Sequence, residues 1–380
     1  MIKPIPYGKH FIDEEDIKSV IEVLKSDFLT QGKKVEEFEK ALSDFHGCRY
    51  AVVFSNGTSA LHGAYYASGI KPKDEFITTP ITFAATANAG LYMGAVPVFC
   101  DVEPDTGNID ANLIEEKITD RTKVITPVSY AGNVADLKTI FEIAKKHNII
   151  VIHDAAHALG ARRDGYGITD FCHMAMVSFH PVKHVACGEG GVILTNSEKL
   201  KDKLMLFRNH GITKDKNLIE NYEGDWYYEM LELGYNYRLT DIQCALGISQ
   251  LKKAKESIIR RNEIAKKYIN AFKNIKNIEV TKNKSIDGIH SYHLFPILTP
   301  KEVRKDFFDY MRNNGILVQI HYIPLHTMPY YKKNFGFKKG DFKNAELFYE
   351  REVSIPMFPS LADEQQDYVI ETIKNYFGEV

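Results

Sequence analysis

The chain has 380 residues, 44% of them apolar, and a formal net charge of −2. That length suits two domains or one large domain with an appendage, and that apolar share suits a sizeable core. The near-zero charge excludes an electrostatic footprint for nucleic acid or an anionic membrane, and no apolar run reaches the roughly 18 residues of a membrane span.

The first residues, Met1 to Tyr7, lack the apolar stretch of a signal peptide. Residues 15–26 and 35–45 read as helices, the second closed by Gly47 as a C′ glycine. Tyr50 to Phe54 reads as a strand, followed by a polar elbow and a helix over 59–68. Further strands are expected over 75–79 and 96–101, with a small-residue helix over 83–93 between them. A strand at 123–128 and a helix at 137–147 lead to residues 148–154, almost continuously apolar, as a buried parallel strand should be. Residues 174–177 and 192–195 read as strands joined through the cluster Gly188-Glu189-Gly190-Gly191.

This alternation predicts an α/β domain over 1–250 with helices on both sheet faces. One long helix is expected from Asp241 to Tyr268. Short strands at 279–280, 293–298 and 317–320, with helices near 301–314 and 363–377, predict a smaller α+β domain over 251–380. The five cysteines (Cys48, Cys100, Cys172, Cys187, Cys244) form no CxxC pair. Scattered thiols of that kind suit a reducing compartment, so a cytoplasmic location is expected.

Lys183 carries the first chemical signal. It follows an apolar strand, in Ser178-Phe179-His180-Pro181-Val182-Lys183-His184. A desolvated amine near a second cation loses its proton more readily and becomes a nucleophile toward carbonyls. A lone lysine in a loop is ordinarily just exposed, so its partners must carry the argument.

Asp154 ends a buried strand at the sheet's carboxyl edge, where open α/β sheets bind ligands, with His157 just beyond. A buried carboxylate needs a cation, and the pyridinium nitrogen of pyridoxal phosphate is one. A helix N-cap is the plain alternative. A metal site using His153, Asp154, His157, His173, His180 and His184 is another, but His153 and Asp154 are strand neighbours facing opposite ways. Phe54-Ser55-Asn56-Gly57-Thr58-Ser59 is a strand, turn and helix start; it serves as a plain cap or as a phosphate site. Ser178 can donate its hydroxyl to a phosphate, and Phe83, after Thr82, can lay a ring on a cofactor or simply fill a core.

These motifs, in this order, resemble the DegT/DnrJ/EryC1/StrS family of sugar aminotransferases over essentially the whole chain. The carriers are Leu29-Thr30-Gln31-Gly32, Asn56-Gly57-Thr58-Ser59-Ala60-Leu61, Thr82-Phe83-Ala84-Ala85-Thr86-Ala87-Asn88, Asp154-Ala155-Ala156-His157-Ala158-Leu159-Gly160, the Lys183 motif, and Gly234-Tyr235-Asn236-Tyr237-Arg238. The resemblance implies a fold-type-I transferase with a mostly parallel seven-stranded sheet, and pyridoxal 5′-phosphate as cofactor. It implies that Lys183 forms a Schiff base and moves protons, that Asp154 holds the ring nitrogen protonated, and that His157 bonds the phenolic oxygen. Gly57, Thr58 and Ser178 would hold the phosphate, Phe83 would stack, and Asn236 would reach the neighbouring subunit of a homodimer with shared sites. Tyr7, Leu29, Thr30, Asn56, Asn236, Gln319, His321 and Tyr322 would contact the substrate.

Within the family, residues 178–184, 224–229 and 321–324 look most like the subgroup of pseudaminic acid synthesis, which acts on a UDP-linked 4-keto-6-deoxy-N-acetyl sugar with glutamate as donor. Two stretches depart from the common pattern: Ser55-Asn56-Gly57-Thr58, where relatives read Asn-Ser-Ala-Thr, and Val185-Ala186-Cys187, where Ile-Thr-Thr is usual. Three other readings compete: a sugar dehydrase, whose relatives carry histidine in place of the lysine; a metal-dependent hydrolase; and a non-catalytic regulator.

Overall fold

The computed structural model describes residues 4–378; the first three residues of the N-terminal segment read above, and residues 379–380, lie outside the described residues. The large sheet has seven strands: β1 (Tyr50–Phe54), β2 (Glu75–Thr78), β3 (Val96–Phe99), β4 (Thr122–Thr126), β5 (Ile150–Asp154), β6 (Met174–Ser178) and β7 (Gly191–Thr195). Their spatial order is β1-β7-β6-β5-β4-β2-β3. β7 runs antiparallel to β1 and β6, and the other neighbouring pairs are parallel. The sheet is therefore the mostly parallel one expected.

Twelve α-helices accompany the sheets among the described residues: α1 (Glu14–Leu24), α2 (Lys33–His46), α3 (Gly57–Ser68), α4 (Ala85–Tyr92), α5 (Leu137–Lys146), α6 (Glu198–Arg208), α7 (Asp241–Lys252), α8 (Ala254–Phe272), α9 (Arg304–Asn313), α10 (Pro329–Phe335), α11 (Lys343–Arg351) and α12 (Asp363–Phe377). Strand β1 shows why both faces are covered. Val52 and Phe54 pack with Leu61, Ala64 and Tyr65 of α3, while Ala51 and Val53 pack with Phe38 and Leu42 of α2. A strand apolar at every position must bury both faces. Gly63 lets α3 lie close on the sheet: a Cβ there would meet Phe54 Cζ at 2.8 Å. Gly47 ends α2 in the left-handed conformation at φ 68°, as its sequence position predicts.

A second, antiparallel sheet joins β8 (Glu279–Val280), β9 (Phe295–Leu298) and β10 (Glu352–Ile355). Its core takes Tyr268 and Phe272 of α8, Phe307 of α9 and Ile373 of α12. Ile5 also packs there and pairs with Ile316, so the N-terminal segment returns to the C-terminal part of the chain.

The long helix expected from Asp241 to Tyr268 is broken at Lys253, with φ −91° and ψ −6°. The Lys253 amine is tied to Asp13 and Asp16 of the α1 N-terminus at 2.7 and 2.6 Å. The break lets α7 pack on α2 while α8 runs on into the second core. Helices α6, α10 and α11 and strand β10 were not foreseen from the sequence. Strand β10 follows α11 without a glycine or proline to mark the change, and its Glu352 and Ser354 are buried polar residues, so its apolar pattern is broken.

Candidate active site

The carboxyl ends of β1, β5 and β6 bring three expected residues together. Asp154 ends β5, 4% exposed. Its Oδ2 accepts from Thr86 Oγ1 at 2.7 Å and its Oδ1 accepts from the Ala156 N–H at 3.1 Å. Thr82 Oγ1 lies 2.7 Å behind Thr86 Oγ1. Burial pushes the Asp154 carboxyl upward, while the Thr86 bond and the Lys183 charge oppose it.

Lys183 lies in the turn after β6. Its Nζ is 3.2 Å from His293 Nε2. Burial and the nearby Arg261 guanidinium lower this amine to about 7, against the pull of Asp154. The second cation that a nucleophilic lysine requires is therefore Arg261, whose Nη1 donates to the main-chain carbonyls of Tyr292 and Met357.

His157 is buried, and its Nδ1 accepts the Ala131 N–H at 3.3 Å. The ring hydrogen is thus on Nε2, which lies 3.1 Å from Tyr322 Oη. Burial and the Lys183 charge hold His157 well below its ordinary value, so the ring is neutral.

The elbow after β1 serves as both cap and open donor set. Asn56 Oδ1 accepts the Ser59 N–H at 2.8 Å, and Ser59 Oγ accepts the Asn56 N–H at 3.1 Å. This capping box satisfies Ser59 but leaves the Gly57 and Thr58 N–H groups without a partner among the described residues. Both readings of the elbow hold together. Ser178, at the end of β6, is packed against Gly57: a Cβ there would meet Ser178 Oγ at 3.3 Å.

Phe83 is 63% exposed beside this cleft, its ring 6.3 Å from that of Tyr322. Tyr7 enters from the N-terminal segment, with its ring 5.2 Å from that of His321. Gln319 is exposed, and its side chain accepts from its neighbour's N–H. Leu29 and Thr30 are not joined to this cluster. They flank the start of α7, where Leu29 O accepts the Asp241 N–H at 3.0 Å. Asn236 is exposed, and its side chain makes no hydrogen bond within the described residues.

Three residues have a place here that the sequence did not announce: Thr86, His293 and Arg261. Thr86 lay in a quoted motif at helical spacing from Thr82; nothing in the sequence singled out the others. His153, by contrast, is structural. Its ring nitrogens meet Ser129 Oγ at 2.6 Å and Ile168 O at 2.9 Å, on the face opposite Asp154. Among the described residues no three metal-ligating side chains are grouped to hold an ion.

The residues fit pyridoxal 5′-phosphate. Among the described residues Lys183 is the cation acting on the buried carboxylate, two helix-start amides have no partner beside a serine hydroxyl, and an exposed phenyl ring flanks them. The comparisons agree. Residues 10–374 match the model of the DegT/DnrJ/EryC1/StrS aminotransferase family. The UDP-4-amino-4,6-dideoxy-N-acetyl-beta-L-altrosamine transaminase of Campylobacter jejuni (serotype O:23/36) is 40% identical over 97% of this chain and 96% of its own. Helicobacter pylori PseC, an aminotransferase involved in the biosynthesis of pseudoaminic acid, superposes with a TM-score of 0.92 at 35% identity over the whole of both chains. The PLP form of Spr1654 from Streptococcus pneumoniae gives 0.92 at 30% identity over 99% of each. The chain belongs to the DegT/DnrJ/EryC1/StrS aminotransferase family, as a sugar aminotransferase that uses pyridoxal 5′-phosphate.

Proposed function

We propose that the enzyme moves an amino group from glutamate to C4 of UDP-2-acetamido-2,6-dideoxy-β-L-arabino-hexos-4-ulose, as a cytoplasmic homodimer in pseudaminic acid biosynthesis. The observation that carries this reading is the Lys183 site itself, a neutral-leaning amine opposite a buried carboxylate. Full-length likeness to the Campylobacter transaminase and to PseC supports the sugar. The five cysteines, all free, support a reducing compartment.

The cofactor, when bound, supplies an aldehyde for the amine and a protonated ring that withdraws electrons from the carbon losing a proton. Lys183 Nζ would hold and move that proton, a task suited to an amine near neutrality. Asp154, kept in a dry site, holds the ring nitrogen's proton, and Thr86 orients its carboxylate. The Gly57 and Thr58 amides and Ser178 Oγ anchor the phosphate. His157, pinned by the Ala131 N–H, offers its Nε2 hydrogen to the phenolic oxygen.

The dimer has its own support. Trp226, Met230 and Leu233 are 73%, 64% and 75% exposed in one segment, an apolar surface that a second copy would cover. Asn236 ends that segment, and contact with a partner's phosphate suits its exposed, unbonded side chain.

The test is incubation of the loaded enzyme with glutamate and a panel of UDP- and dTDP-linked 4-keto and 3-keto sugars, with products read by mass and NMR. A 4-amino UDP sugar of the stated configuration is expected. Preference for a dTDP or 3-keto substrate would overturn the substrate assignment and leave transamination standing.

A further inference from the structure

His321 is held through its main chain and one ring nitrogen. Its Nδ1 lies 2.9 Å from Ser354 Oγ, which lies 2.5 Å from Glu352 Oε1. Glu352 Oε2 accepts the His321 main-chain N–H at 2.7 Å, and Tyr130 O–H donates to the His321 carbonyl at 2.7 Å. Glu352 and Ser354 are fully buried. The His321 Nε2 has no partner among the described residues and is not among the sealed, unpartnered atoms. Of the two His321 ring nitrogens it is therefore the open one, on a ring that lies between Tyr7 and Tyr322.

We propose that Glu352 and Ser354 are positioning residues for His321: the three side chains form one proton chain whose direction decides whether the imidazole meets the substrate as hydrogen-bond donor or acceptor. The inference rests on the reading of His321 as a substrate contact.

A serine hydroxyl has a single hydrogen to give. With Glu352 protonated, the carboxyl donates to Ser354 Oγ, Ser354 donates to His321 Nδ1, and the ring hydrogen sits on Nε2. Nε2 then suits a sugar or phosphate oxygen. When the chain ionises, the Glu352 proton passes to Ser354, the Ser354 proton passes to Nδ1, and Nε2 releases its hydrogen to solvent. One proton leaves in total, and Nε2 becomes an acceptor for a hydroxyl or amide N–H.

Burial, rather than the surrounding charge, favours the donor state at neutral pH. Arg304 of α9 is the positive charge acting on Glu352, and the Tyr130 and Tyr322 phenols face it as well. Burial nonetheless raises Glu352 to about 8. On the cleft side, burial and the Lys183 charge keep His321 neutral, at about 3, with Tyr7 and His157 as the other titratable neighbours.

The test reads the ring directly, by nitrogen-15 NMR of the full-length, cofactor-loaded enzyme labelled in histidine, with His321→Gln used to assign the signal. The hydrogen is expected on Nε2 at pH 7 and on Nδ1 at pH 9.5, with a midpoint near 8. In Glu352→Gln the amide N–H donates to Ser354 at every pH, so Nε2 should keep its hydrogen throughout. A wild-type ring with one tautomer across the range, or a Glu352→Gln ring that still switches, would overturn the proposal. Should Glu352→Gln fail to fold, Ser354→Ala serves: the transition near 8 must vanish, and its persistence is equally fatal. The substrate KM provides the second readout, rising severalfold above pH 8 in wild type and staying flat in Glu352→Gln. A wrong sugar would alter KM but leave the tautomer switch untouched, which separates the two failures.

Discussion

Lys183 Nζ meets His293 Nε2 at 3.2 Å, so an amine from the edge of the large sheet is steadied by an imidazole just ahead of strand β9. His293 lies between His157 and His184, with ring centroids 4.3 and 5.7 Å away. Burial and the Lys183 charge hold it well below its ordinary value. A neutral His293 accepts at Nε2 from a charged Lys183, and toward the neutral amine its role follows its tautomer.

The lowered Lys183 value makes a stability prediction. An unfolded lysine stays charged up to its ordinary value near 10.4, whereas the folded one loses its proton near 7. The cost of housing the charge is therefore full below pH 7 and shrinks as pH rises toward 10. Lys183→Met apoprotein should melt above wild-type apoprotein at pH 6.5, and the gap should narrow steadily by pH 9. Thermal melts across that range check it; a constant gap would mean that Lys183 is not desolvated.

Lys183→Ala should abolish amino transfer while circular dichroism shows the fold retained, because the side chain lies in the cleft and belongs to no core cluster. Borohydride should no longer trap the cofactor on the chain. Measurable transfer by this variant would remove Lys183 from its role.

Thr86→Val removes the hydroxyl at 2.7 Å from Asp154 Oδ2. A buried group deprived of a partner loses about 1–3 kcal/mol. The Thr86 bond lowers Asp154 against its burial, so its loss should raise the carboxyl further and weaken its hold on a protonated ring. The expected result is a fall in kcat of about tenfold to a hundredfold, by that same range, with the fold intact. Steady-state kinetics and the absorbance of the bound cofactor both read it.

Mixing Lys183→Ala subunits with Asn236→Ala subunits tests the shared site. Each homodimer should be inactive or weak. In a heterodimer one site carries both lesions and the other carries neither, so activity should return toward half of wild type. Absence of complementation would place Asn236 outside the partner's site.

Much of this was legible because strands β1, β5 and β6 end in residues whose chemistry is conspicuous. Phe54 leads to a glycine elbow, Asp154 closes an apolar run, and Ser178 precedes a lysine turn. Strand ends are fixed by local pattern, so their products converge predictably at one sheet edge. His293, Arg261 and Glu352 were not legible for the opposite reason. They reach the cleft through the packing of the second sheet and α8, at sequence separations of 110 for Lys183 and His293 and 31 for His321 and Glu352. Nothing local distinguishes a buried glutamate at the start of β10 from a solvated one after a helix. Leu29 and Thr30 mark another limit, since a motif places residues in order but does not say which chain's cleft they face.

Gly191 offers a test of the elbow by a residue that touches neither cofactor nor substrate. It pairs with Phe54 on one side and Ser178 on the other. A Cβ at Gly191 would stand 2.7 Å from the Asn56 carbonyl oxygen and 2.8 Å from Gly57 Cα. These are main-chain atoms, which cannot swing away as a side chain can, so Gly191→Ala must push the elbow off β7. Overpacking of this kind costs about 1–3 kcal/mol of stability. The displaced amides of Gly57 and Thr58 should also bind phosphate less well, so cofactor affinity should fall by about tenfold or more, roughly 1.4 kcal/mol per decade. Absorbance titration of apoprotein with pyridoxal 5′-phosphate, beside the melting curve, separates the two effects. A variant that melts lower yet binds the cofactor as wild type does would show that the elbow amides are not the phosphate anchor.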